Sequence, residues 1–162
     1  MKKNFSNILK IVVLCLVMTA FLTTAFACSK DHGDGIYANK ITKDECVNVI
    51  SDSEVILFVS DKLNNLEDKT LEDLMNYYVS EGYLTYEATD GSWGKFITSV
   101  NGKVANDANS EFWAIYTSDA NQASTEYDSY KYEDKTIGSS NYGVSYLKIA
   151  AGDIIVLKLA SY

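Results

Sequence analysis

"TLEDLMNYYVSEG", residues 70–82, is the segment on which the fold turns. Leu71, Leu74, Met75 and Tyr78 fall at i, i+3, i+4 and i+7, which draws one apolar stripe along a helix. Thr70 and Asp73 form a Thr-x-x-acid capping box, in which hydroxyl and carboxylate satisfy backbone N–H groups left free at the first turn. Gly82 suits the left-handed residue that ends a helix. A single stripe of this kind needs a surface to lie on, and the flanking sequence supplies strands.

Upstream, "EVILFVS", residues 54–60, is a β-rich run with apolar residues on both faces, the pattern of a central strand. Downstream, Tyr83 to Ala88 alternates, Asp90-Gly91 punctuates, Lys95 to Val100 alternates again, and Asn101-Gly102 signals a tight turn. Phe112 to Thr117 reads as a further strand. Gly152-Asp153 turns into "IIVLKLA", residues 154–160, with Ile155, Leu157 and Leu159 on one face. One helix followed by strands predicts an α+β domain, a mixed sheet with the helix packed on one face.

The chain before residue 53 reads differently. Lys2, Lys3 and Lys10, an apolar run from Ile11 to Ala20, and Ala25-Phe26-Ala27 give residues 1–27 the form of an export signal. Cys28 stands where the bacterial lipoprotein pathway attaches lipid, although Ala25 replaces the usual leucine. Two readings stand: a membrane anchor through lipidated Cys28, or an ordinary cleavage that leaves Cys28 free or paired with Cys46. The expected location is the extracellular face of the membrane, or secretion in the second case. Residues 28–52 are expected as a tether and 53–162 as the domain. Within that domain, residues 118–136 form a long acidic insertion carrying Tyr127, Tyr130 and Tyr132, which reads either as an interaction loop or as a mobile surface loop.

Charge and chemistry narrow the function. The formal net charge is −8, arginine is absent, and the signal segment removes three lysines and no acid. Nucleic acid is therefore not an expected partner, because nothing basic is available to neutralise phosphate. His32, the single histidine, lies in the tether beside Asp31 and Asp34, where nothing orients it as a base. Neither a Gly-x-Ser-x-Gly elbow nor a phosphate-cradling glycine loop occurs, and Asp119-Ala120-Asn121 lacks the glycine and terminal glutamate of a calcium loop. The expectation is a protein without catalytic residues and without a metal site.

What remains is the aromatic strand. In "FWAIYT", Phe112, Ala114 and Tyr116 point one way, and Trp113, Ile115 and Thr117 the other. One face packs on the helix. The other needs a cover: a second sheet layer, the Tyr-rich insertion or a ligand. Trp93, in the nearby "DGSWGK" turn, adds a further aromatic group.

"GKFITSVNG", "FWAIYT" and "GVSYLKIAAGDIIVLKLASY" together resemble the C-terminal β-domain of the cobalamin carriers transcobalamin and intrinsic factor, and the bacterial domains grouped with them (the DUF4430 family). The matching positions are Phe112-Trp113, Gly143-Val144-Ser145, Gly152-Asp153 and Ile154 to Tyr162, and the likeness covers about residues 53–162. It implies a β-grasp-like fold of the soluble-ligand-binding group. It also implies a non-catalytic module for a corrinoid, binding weakly alone or as half of a clamp that a partner protein completes. The ligand-binding residues it implies are Trp93, Phe112, Trp113, Ala114, Ile115 and Tyr116. The alternative expectation is a cell-surface protein- or glycan-interaction module that uses the Tyr-rich insertion and no small molecule.

Overall fold

Local hydrogen bonding builds the helix as its sequence predicts. In the computed structural model, which describes residues 33–92 and 94–162, helix α1 spans Leu71–Ser80. The Thr70 backbone N–H donates to Asp73 Oδ2 at 2.9 Å, and Asp73 N–H donates back to Thr70 Oγ1 at 3.4 Å. At the other end Gly82 adopts φ +74°. Its N–H reaches Val79 O and that of Tyr83 reaches Tyr78 O, the paired bonds that close a helix through a left-handed glycine. Leu71, Leu74, Met75 and Tyr78 are all fully buried. The expected signal segment 1–27, Cys28, His32 and Trp93 lie outside the described residues.

Residues Asp34–Tyr162 form one folded unit. Strands β1 (Val47–Ser51), β2 (Glu54–Phe58), β6 (Glu111–Thr117), β7 (Ser129–Tyr132), β8 (Lys135–Ser139) and β9 (Ile154–Ser161) make a six-stranded sheet ordered β1-β2-β9-β6-β8-β7. Strands β3 (Tyr86–Gly91), β4 (Gly94–Val100) and β5 (Lys103–Val104) make a smaller sheet. The protein is thus α+β, with one α-helix among the described residues. The expected mixed sheet is corrected: every strand pair among the described residues is antiparallel. Strand β9 enters between β2 and β6, pairing Leu157 with both Val55 and Ile115, and runs opposite to each. No parallel neighbour, and hence no crossover of the parallel kind, is needed.

Two further expectations change. The tether extends less far than residue 52, since Val47–Ser51 is strand β1 and Ile36, Cys46 and Val47 are buried in the core. The hairpin turn Ser51-Asp52-Ser53 and the apolar Val47, Val49 and Ile50 carried that signal. The strand expected from Tyr83 begins instead at Tyr86. Tyr83 and Leu84 are occupied in closing the helix through Tyr78 O, and the Tyr83 hydroxyl donates to Ile41 O at 2.9 Å.

The centre of the large sheet is buried on both faces, which is why β2 and the first half of β9 read as apolar runs. Val55, Leu57, Ile155, Leu157 and Trp113 join the helix stripe and Ile97 and Val100 of the small sheet in one core. Ile56, Ile154, Val156 and Tyr116 form a second core on the opposite face, closed by Ile137 of β8. Tyr130 lies 6.1 Å from Tyr116 and Tyr132 lies 6.0 Å from Phe58, ring centre to ring centre. The Tyr-rich segment expected as a loop over 118–136 therefore contains β7 and the start of β8. It is the cover of the second face.

The small sheet is tied to the helix by polar bonds. Lys95 Nζ donates to Glu72 Oε1 at 2.5 Å, Ser145 Oγ donates to Glu72 Oε2 at 2.8 Å, and the Tyr86 hydroxyl donates to Asn76 Oδ1 at 2.7 Å. The Lys95 ammonium first, and then the Ser145 hydroxyl, hold the Glu72 carboxyl below its ordinary value of 4.5. A carboxyl held low stabilises the fold fully above that ordinary value, and the stabilisation is lost as pH falls through the lower folded value. Glu72→Gln is expected to cost up to about 1 kcal/mol at pH 7, the pair being partly solvent-screened. The deficit should shrink in urea melts as pH is lowered through the acid range. An undiminished deficit at about pH 3 would show that the charge plays no part.

Candidate functional site

Strand β6 places its two faces in different environments. Trp113 and Ile115 point into the helix-side core, while Ala114 and Tyr116 point into the core beneath the β7–β8 hairpin. Phe112, at the start of the strand, packs with neither core and stacks on Tyr162, ring centres 4.6 Å apart and planes 20° apart. The side chains implied as ligand-binding are thus divided between two sides of the sheet, as alternation expects for all but Phe112. Phe112 and Trp113 share a groove, and Ile115 packs into the core. Ala114 and Tyr116 belong to the far side of the sheet. Tyr116 is covered by Tyr130, so its face is closed by the protein itself.

The groove has a volume of about 640 Å³ and lies between the small sheet and the first residues of β6. Its volume falls within the range of about 300–1,000 Å³ usual for small-molecule sites. One wall is Phe96, Ile97 and Val104; the other is Phe112, Trp113 and Tyr162. Phe96 is 56% exposed and Tyr162 94% exposed, so large apolar groups stand at the mouth with nothing over them. The ring of Phe96 crosses the hairpin to lie over Gly91, where a Cβ would collide with it. That contact fixes the ring against the backbone, so a glycine at residue 91 sets the shape of the wall.

Trp113 joins the two sheets. It is 5% exposed, and its indole N–H donates to Lys103 O in β5 at 3.2 Å. Its edge reaches the groove, but most of the ring is core.

The floor of the mouth is a short 3-10 turn, Asp107–Asn109. Asn106 caps it by accepting from Ala108 N–H at 3.0 Å, and Ser110 takes φ +55° to return the chain into β6. Glu111 Oε2 accepts from Asn106 N–H at 3.0 Å, which anchors the carboxylate beside the groove. Asp107, Ser110 and Glu111 are the polar lining on this side. The chemistry on offer is ring stacking, apolar contact and hydrogen-bond acceptance. Among the described residues no group of three or more His, Cys, Asp or Glu side chains could hold a metal ion, and no helix is long and apolar enough to cross a membrane.

Sequence reasoning missed Phe96, Val104 and Tyr162. Phe96 alternates within a strand like any half-buried residue, and the turn signal Asn101-Gly102 places Val104 only opposite Ser99, not beside Phe96. Cys46 is fully buried and free, and burial pushes its thiol up to about 11, well away from a reactive thiolate. No protein-family model and no curated protein matches this chain.

Proposed function

We propose that the protein is a non-catalytic binding module of the transcobalamin-like kind, exported and held at the cell surface through a lipid on Cys28. Its groove takes a flat amphipathic small molecule, with a corrinoid as the candidate. The observation that carries this reading is the pair of aromatic walls, Phe96 on one sheet and the Phe112–Tyr162 stack on the other, around about 640 Å³. Exposed rings are costly to leave in water and well suited to the face of a planar ligand. A β-grasp-like arrangement is the finer description of the fold within this reading. The N-terminal hairpin, helix α1 and the C-terminal strand at the sheet centre support it, although β9 runs antiparallel to both neighbours.

The open mouth leaves one side of such a ligand in solvent, so the module binds weakly alone and a partner protein completes the enclosure. Equilibrium dialysis against cobalamin and cobinamide tests this. Saturable uptake is expected, weakened about fivefold to tenfold by Phe112→Ala and by Phe96→Ala. Absence of uptake at high-micromolar protein would sink the corrinoid. The second reading, a protein- or glycan-interaction face, is favoured by exposed Tyr127, Tyr142 and Tyr146. Tyr130 and Tyr132 are half-buried on the sheet, so only Tyr127 of the original three stands free for it.

A further inference from the structure

The charge around the groove is one-sided. Among the described residues Asp107 and Glu111 line it, and no lysine, arginine or histidine does. Nearby ammonium groups are turned elsewhere: Lys95 Nζ is 2.5 Å from Glu72 and Lys103 Nζ is 4.0 Å from Asp52. The aromatic walls act in the same direction, because the face of each ring carries the negative part of its quadrupole and attracts cations. The chain as a whole adds a net charge of −8. Carboxylates, ring faces and net charge therefore all favour a positive occupant, and an anion entering here would find no counter-charge.

We infer that the groove selects a planar organic cation over an anion of similar size. The inference rests on the groove being a ligand site, but not on the ligand being a corrinoid. Phe96 and the Phe112–Tyr162 stack bind the flat apolar body. Glu111, held in place by the Asn106 N–H, and Asp107 sit at the mouth where the positive end lies. Ser110, in the same lining, is left for the uncharged polar edge.

The test is a fluorescence titration of the full protein with two planar dyes, the cation acridine orange and the anion 1-anilinonaphthalene-8-sulfonate. The cation should bind at least about tenfold more tightly, by an amount that falls as salt is raised. Asp107→Asn with Glu111→Gln should weaken the cation by about fivefold to tenfold and leave the sulfonate unchanged or tighter. Glutamine keeps an oxygen for the Asn106 N–H, and an unchanged thermal melt will show that the turn is intact. Phe112→Ala should weaken both dyes.

Equal affinities that still depend on Phe112 would overturn charge selection and leave the groove a ligand site. Cation binding insensitive to both the Phe112 and the carboxylate variants would be adsorption to an acidic surface, and would overturn the inference. Binding of neither dye would remove the groove as a ligand site and the inference with it.

Discussion

Ile137→Ala is expected to destabilise the protein by about 3 kcal/mol, while Tyr127→Ala, in the same Tyr-rich segment, should stay within about 0.5 kcal/mol. Ile137 is fully buried and seals the second core against Ile56, Tyr116, Ile154 and Val156. Strand β8 pairs with β6 at Tyr116↔Ser139 and Thr117↔Gly138, with one further bond from Ser140 N–H to Ile115 O, so few ladder bonds hold the hairpin on the sheet. Side-chain packing has to hold the remainder. Tyr127 is 70% exposed and belongs to neither core. Urea unfolding followed by circular dichroism reads both variants. A loss at Ile137 no larger than at Tyr127 would mean that the hairpin does not close the second face. The same packing rules out excision of residues 118–136 as a clean test of partner binding, because the cut would uncover a core.

Trp113→Ala should be comparably damaging, by about 3–5 kcal/mol, and should lower ligand affinity as a consequence of disturbing the fold. The ring fills the junction of the two sheets, and its N–H bond to Lys103 O holds the small sheet against β6. Phe112→Ala removes a ring that lies outside both cores and stacks only on an exposed tyrosine. Its stability loss is expected below about 1 kcal/mol, with the affinity loss carried mainly by the missing stack. Thermal melts and dialysis on the two variants separate these roles. A Trp113→Ala protein as stable as the parent would show that Trp113 is wall rather than junction. A Phe112→Ala protein that unfolds readily would remove it as a probe of binding.

These two neighbours show what a strand pattern conveys and what it leaves out. Alternation correctly separated Trp113 and Ile115 from Ala114 and Tyr116, which pack into different cores. It could not tell that Tyr162 lies against Phe112, or that a third sheet strand offers its carbonyl to the Trp113 indole. Tyr116 looked as available as Phe112, and it lies under Tyr130 because β7 and β8 fold back across the sheet. The turn that returns them, Glu133-Asp134 with Glu133 at φ +50°, was visible only as a pair of acids.

From residues 70–82 the helix, its capping box and its glycine stop were legible locally, because the Thr70–Asp73 and Gly82–Val79 bonds span only three residues. The first two helical N–H groups, however, are satisfied from afar, by Leu147 O and Val144 O. The central placement of β2 followed equally from its apolar run on both faces, since a strand buried on both faces has no polar side to show. The run of β9, broken by Lys158, was read only as one apolar face. The sheet order, the cover over the second face and the groove were decided only by the tertiary structure. Phe96, Phe112 and Tyr162 belong to three strands or strand ends far apart in the chain, and what joins them is packing between sheets. That packing depends on how surfaces complement one another in space, a property that no single segment carries.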